Sequence, residues 1–261
     1  MPAIDWLIAR PIAHRGLHDK TVGRFENTIS AALAAIGGDF AIECDVQLSA
    51  DGEAMVFHDH ELDRLTDATG PVRAQNAAQL GQLRIGGTDD GMPTLTEFLD
   101  AIGGRVPVVI EVKSRFDGDE RLTRRLAEIL AGRSEPIAVK SFDPDVIALL
   151  RRMAPSLPRG IVAQSRYDGR EAAQLGADRV REMTDLLHWE RTAPDFLSWR
   201  VSDLPAAAPF LGRLLGQVPV MSWTVRNEGD ATHAYANADQ IVFEGFLPSG
   251  PARGIASLHV P

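Results

Sequence analysis

Short apolar runs rich in valine and isoleucine alternate along the chain with longer segments in which apolar residues recur at helical spacing. That alternation is the pattern of repeated strand–helix units around a parallel sheet. Eight strand–helix steps can be counted, with strands at "RPIAHRG", "FAIECDVQL" with its extension "AMVFHD", "VPVVIEVKS", "PIAVKSF", "LPRGIVAQ", "FLSWRV", "VPVMSWTV" and "QIVFEGF". Several are unbroken apolar runs, as expected of strands covered on both faces. Helices are predicted in "ENTISAALAAIG", "TLTEFLDAIGG", "DERLTRRLAEILAG" and "DPDVIALLRRMA". In the last, Asp143 and Pro144 read as an N-cap and a first-turn proline. The fifth step, Gly169 to Pro194, divides least cleanly. The segment of about residues 60–93, rich in Gly, Asp and Thr, is long for a strand–helix connection and reads as a small insertion over the mouth of an α/β barrel. No linker or repeat divides residues 1–261, so the chain reads as one domain.

Within that pattern two strands carry charge where an apolar residue is expected. Residues i and i+2 of a strand share a face, so Glu43 and Asp45 point the same way with Cys44 opposite, and Glu111 and Lys113 repeat the arrangement. Burying such carboxyl groups without partners costs many kcal/mol. Two arrangements offset that cost: an ion-pair network among these residues, or a divalent cation held by Glu43, Asp45 and Glu111. With no cysteine and no compact histidine pair in the set, an oxygen-seeking Mg²⁺ or Ca²⁺, or Mn²⁺, suits it better than zinc.

His14 in "IAHRG" and His58 in "VFHDH" end strand candidates, and strand ends of a parallel barrel converge on one rim. Two histidines flanking a substrate can act as general base and general acid, with His14 assigned as base and His58 as acid. A cation with Arg15 and Lys113 would stabilise anionic oxygens, a combination suited to phosphoester cleavage. Glu26 is assigned either to the helix start at Asn27 and Thr28 or to Arg15. Trp223 and Phe142 are candidates for an apolar wall beside a small ligand. His18 and His60 are placed as supporting residues; His188, His233 and His259 are placed in loops or on the surface.

Charge and composition narrow the partners. A formal charge of -9 argues against nucleic acid or an anionic membrane as the main ligand. Neither a secretory leader nor an apolar run of spanning length is seen, so a cytoplasmic protein without an integral membrane segment is expected. The single cysteine, Cys44, permits no internal disulfide.

The ordered elements "AHRG", "ENT", "IECDVQLSADGEAMVFHDHELDRLT", "MPTLTEFL", "IEVK", "SF" and "SWTV" resemble the glycerophosphodiester phosphodiesterase family. The resemblance implies a TIM (β/α)8 barrel with a small insertion after the second strand. It also implies metal-dependent hydrolysis of a small-molecule glycerophosphodiester to glycerol 3-phosphate and an alcohol. It places His14 and His58 as the acid/base pair, Glu43, Asp45 and Glu111 as metal ligands, Arg15 and Lys113 at phosphate, and Trp223 in the pocket. Alternative readings are a lysophospholipase D-like or sugar-phosphodiester hydrolase on the same site, a metal-dependent sugar isomerase, or a non-catalytic phosphodiester-binding protein. Three positions depart from the family pattern: Phe25 stands before "ENT" where proline is common, Arg226 follows "WTV" where asparagine is usual, and Glu244 replaces a Thr-Asp pair.

Overall fold

A computed structural model describes residues 4–249. Its strands are β1 (Ile12–Ala13), β2 (Ala41–Leu48), β3 (Ala54–Val56), β4 (Val108–Val112), β5 (Ile137–Ser141), β6 (Arg159–Ala163), β7 (Phe196–Arg200), β8 (Val220–Val225) and β9 (Gln240–Phe243). Every pairing except β2–β3 is parallel, and β1 joins β9 through Ile12 and Val242 and β2 through Ile12 and Ala41. The sheet therefore closes into an eight-stranded parallel barrel with one extra strand, the TIM-barrel architecture expected from the alternation.

Strand periodicity builds the interior in layers. Ile12, Ala41, Val109, Ala138, Phe196, Met221 and Val242 pack together as an apolar floor, with Leu7 against them. Two residues further along the same strands, and thus on the same face, stand His14, Glu43, Glu111, Lys140, Ser198, Trp223 and Glu244. The polar layer rests on the floor. The intervening residues, among them Ile42, Cys44, Val108, Ile110 and Val139, point outward into a larger cluster with the helices.

The helices form where the pattern requires them. Thr28 caps Ile29–Gly37, Thr94 and Glu97 form a capping box on Leu95–Ile102, and Asp143 with Pro144 starts Pro144–Met153. The fifth step resolves into three short helices, Gly169–Leu175, Ala177–Thr184 and Trp189–Thr192. His188 lies in the turn before the last of these, yet it is buried, at 1% exposed, and its Nδ1 is 3.1 Å from the Thr192 hydroxyl. A helical i, i+4 spacing turns both side chains inward, which a solvent-exposed reading of this stretch does not anticipate. His259 lies outside the described residues.

After β3 the chain makes the insertion, which has its own apolar cluster of Met55, Phe57, Leu62, Leu65, Val72, Leu80, Ile85 and Met92. Phe25 joins it. At Gly86, whose φ is +60°, an added Cβ would fall 2.2 Å from the Phe25 ring, so the residue that departs from the family pattern fastens the insertion to the barrel mouth.

The floor also depends on a glycine. A Cβ on Gly160 of β6 would sit 2.2 Å from the Phe196 ring. Gly160→Ala is therefore expected to overpack the barrel and lower stability by about 1–3 kcal/mol, read from urea unfolding.

Candidate active site

The polar layer brings together what the sequence placed on separate strands. Glu43, Asp45 and Glu111 each offer an oxygen within 4.8 Å of the other two. The three are 0%, 1% and 5% exposed. Register explains the convergence, because Asp45 of β2 lies opposite Glu111 of β4, and Glu111 opposite Lys140 of β5.

Cationic side chains meet these acids from three directions. Lys113 Nζ is 2.8 Å from Asp45 Oδ1 and 2.5 Å from Glu111 Oε1, and Arg15 Nε is 3.3 Å from Asp45 Oδ2. Lys140 Nζ is 2.9 Å from Glu43 Oε1 and 3.1 Å from Glu111 Oε2, while being only 2% exposed itself. Lys140 escaped sequence reasoning; the signal was a lone lysine in the apolar run "PIAVKSF", pointing the same way as Ala138.

Burial pushes the Glu111 carboxyl up, but Lys113 and Lys140 outweigh it and hold the group at about 2. Asp45 is likewise held well below the usual range: burial opposes this, and Lys113, His58, Arg15 and His14 together prevail. Both lysines stay protonated despite burial because the acids raise them.

Each histidine has one ring nitrogen engaged by a carboxylate. His14 Nδ1 is 2.5 Å from Glu244 Oε2, and His58 Nδ1 is 2.6 Å from Asp59 Oδ1. Asp59 and Glu244 are both kept ionised: burial works against them, but hydrogen bonds from their histidines and, at Asp59, from Arg64 overcome it. An ionised carboxylate only accepts, so each Nδ1–H donates and each Nε2 is left for other partners. His14 Nε2 lies 4.0 Å from Glu43 Oε2, and His18 Nε2 3.6 Å from Glu244 Oε2. His60 lies on the side of Lys113 and Arg115, with Nδ1 3.2 Å from Gln47 Oε1, and burial followed by these cations lowers it to about 4.

His58 arrives by a route the parallel-strand rule does not cover. It follows β3, which runs antiparallel to β2, so a hairpin returns the chain to the Asp45 end and Phe57 N–H donates to Asp45 O at 3.0 Å.

Two residues here take left-handed backbone: Arg15 at φ 57° and Asn27 at φ 58°. Such conformations cost about 1–3 kcal/mol each for a non-glycine residue and persist where surroundings enforce them. Arg15 N–H donates to Glu43 Oε2 at 3.1 Å, and the Asn27 amide spans Asp45, donating to Oδ2 at 2.9 Å and accepting from its N–H at 3.1 Å. The helix cap falls to Thr28, and Glu26 goes to Arg15 Nη1 at 2.6 Å instead of the helix start.

Phe142 and Trp223 pack edge to face, with centroids 5.4 Å apart, and the Trp223 indole N–H donates to Ser198 O. Together with Gln164, Arg200 and Arg226 they line a cleft of about 680 Å³. A second of about 310 Å³ joins Phe142 to Glu111, Lys113 and Tyr167. Arg226, at the rim, reaches Glu244 Oε1 at 2.7 Å.

The donor set fits a hard divalent cation. It is all oxygen, buried and convergent, and Glu43 Oε1 makes no properly aligned hydrogen bond although Lys140 Nζ is near. The fold and site define a TIM barrel whose interior carries a buried, all-oxygen donor set suited to a divalent cation. A model of the glycerophosphoryl diester phosphodiesterase family matches residues 14–243, and the chain belongs to that family.

Among curated proteins, a glycerophosphodiester phosphodiesterase of Caldanaerobacter subterraneus subsp. tengcongensis is 34% identical over 166 residues, covering 59% of this chain and 66% of that protein. One from Bacillus subtilis is 30% identical over 170 residues, 56% of this chain and 57% of that protein. The matched stretch thus spans a little under two thirds of the first relative and just over half of the second. A solved Oleispira antarctica phosphodiesterase, in complex with the product sn-glycerol-3-phosphate, shares the fold with a TM-score of 0.72 at 23% identity, over 89% of this chain and 91% of that one. A Thermotoga maritima glycerophosphodiester phosphodiesterase does so at 0.67 and 22%, over 89% and 92%.

Removing the buried cation tests the charge balance. In chelator, Lys140→Met is expected to cost about 3–5 kcal/mol in urea unfolding, because Glu43 and Glu111 lose their shared partner, and less once a divalent cation is supplied. Acid offers a separate test through Glu26, which Arg64 and Arg15 hold at about 2 against burial. A carboxyl lowered on folding stabilises above its unfolded value of 4.5, and that contribution fades as pH falls toward 2. Glu26→Gln should therefore lose stability less steeply than wild type across that window in denaturant melts.

Proposed function

We propose that this chain hydrolyses glycerophosphodiesters to glycerol 3-phosphate and an alcohol, using His14 and His58 as the acid/base pair. The observation that carries the reading is two histidines, each fixed through Nδ1 by a carboxylate, beside three convergent buried acids. Membership of the family supports the same reaction, and so does sn-glycerol-3-phosphate as the product bound to the similarly folded Oleispira phosphodiesterase.

Glu43, Asp45 and Glu111 would hold one divalent cation, Mg²⁺ or Ca²⁺, with Mn²⁺ also suited to the oxygen donors. That cation supplies Lewis-acid stabilisation of charge on a non-bridging phosphate oxygen. Without it, Glu43, Asp45 and Glu111 and the three cations Arg15, Lys113 and Lys140 offset one another, so a divalent charge would make this cluster net positive. An anionic phosphodiester requires that sign. Arg15 and Lys113 contact the phosphate, while Phe142 and Trp223 form the apolar side of the pocket.

One histidine Nε2 takes the proton of the attacking water or of the substrate's own glycerol hydroxyl. The other gives a proton to the alcohol oxygen as its bond to phosphorus breaks, leaving no charged alkoxide. Fixed tautomers matter here because a wrongly protonated ring can neither accept nor donate toward the substrate. Within the described residues no helix is long and apolar enough to cross a membrane, and the lone buried thiol of Cys44 is compatible with a cytoplasmic place of action.

His14→Ala and His58→Ala are each expected to lower kcat on glycerophosphocholine by about 10²–10⁴-fold with the fold retained. Wild-type turnover in either folded variant would end the assignment. Metal-depleted protein should be inactive on a panel of choline, ethanolamine, sugar and acyl-bearing diesters, and recover with one cation restored at a time; indifference to chelation would remove the metal from the mechanism.

A further inference from the structure

The insertion contributes a side chain that touches neither the cluster of acids nor the histidines. Arg64 extends from it and makes a double fork. Its Nε and Nη2 donate to Asp59 Oδ2 and Oδ1 at 2.5 and 3.1 Å. Its Nη1 and Nη2 donate to Glu26 Oε2 and Oε1 at 2.9 and 2.7 Å. Asp59 is the carboxylate on His58 Nδ1, and Glu26 is the carboxylate on Arg15.

The guanidinium therefore stands in the middle of a continuous chain running from His58 through Asp59, Arg64 and Glu26 to Arg15 and Asp45. Its backbone is held from both sides, since Leu62 and Leu65 are buried in the insertion's own cluster. Each carboxylate would lose one of its two side-chain partners without it. Asp59 and Glu26 are like charges drawn to one cation, and with that cation gone they repel each other across the space it filled.

We propose that Arg64 is a positioning residue through which the insertion orients both the proton-transfer group His58 and the phosphate-contacting Arg15. This rests on the roles given to those two residues above. A bidentate grip on two carboxylates needs a planar fork with five donors. Lysine, with a single ammonium, keeps the charge but cannot hold both acids in plane. The same geometry gives the insertion a task in addition to covering the mouth: its folding sets the site.

Two variants and two readouts test this. Arg64→Ala and Arg64→Lys are each expected to lower kcat by about tenfold or more and to raise KM for glycerophosphocholine, with circular dichroism and the thermal midpoint of the lysine variant close to wild type. In ¹⁵N-labelled protein, the His58 Nδ1–H resonance, assigned by its loss in His58→Ala, should disappear or move upfield in both variants while that of His14 stays in place. Wild-type kcat and KM in the lysine variant would overturn the proposal, as would an unchanged His58 resonance. Should the alanine variant unfold, the lysine variant decides. A wild-type protein that turns over none of the diesters would defeat the hydrolase reading instead, and the resonance would still decide whether Arg64 orients His58.

Discussion

Acidic groups buried inside a closed barrel are the constraint from which the rest follows. Water cannot reach Glu43, Asp45 or Glu111 well enough to solvate them, so each must be met by a positive charge or a donor at contact distance. Lys113 and Arg15 come from the rim, Lys140 from within the wall, and Asn27 and the Arg15 N–H supply the remaining donors. The left-handed backbone at Arg15 and Asn27 is a consequence, since both bend the chain to bring donors onto those acids. The histidines are attached by the same logic in reverse, each with its own carboxylate.

Much of this was readable in the sequence because strand periodicity is local. A period of two predicts that Glu43 and Asp45 share a face, and adding the closure of eight parallel strands predicts that they meet Glu111. The missed residues are those fixed by relations between strands. Lys140 belongs to the site because β5 lies beside β4 in a register that sets it opposite Glu111. That register is not written in the strand's own alternation. Arg64 was visible only as one letter of "ELDRLT", and its importance depends on an insertion fold bringing it between Asp59 and Glu26. His58 reaches the Asp45 end of β2, although the strand before it runs against the others, because a tight hairpin returns the chain to the strand it left.

The departures from the family pattern make sense in the same terms. Phe25 does not fix the backbone as a proline would, but its ring fills the space over Gly86 and joins the barrel loop to the insertion that carries Arg64.

Glu244 and Arg226 are better understood as a pair than as two changes. A glutamate reaches one methylene further than an aspartate and loses more rotamer freedom when held, a cost of up to about 2 kcal/mol for the longer side chains. Burial also disfavours its charge. His14 and His18 both approach Oε2, which leaves the other oxygen of the longer acid to be met. Arg226, from the neighbouring strand end, takes the second oxygen at 2.7 Å while His14 holds the first at 2.5 Å. The carboxylate is thereby pinned at both oxygens. An asparagine at residue 226 would offer neither the length nor the charge for that second contact.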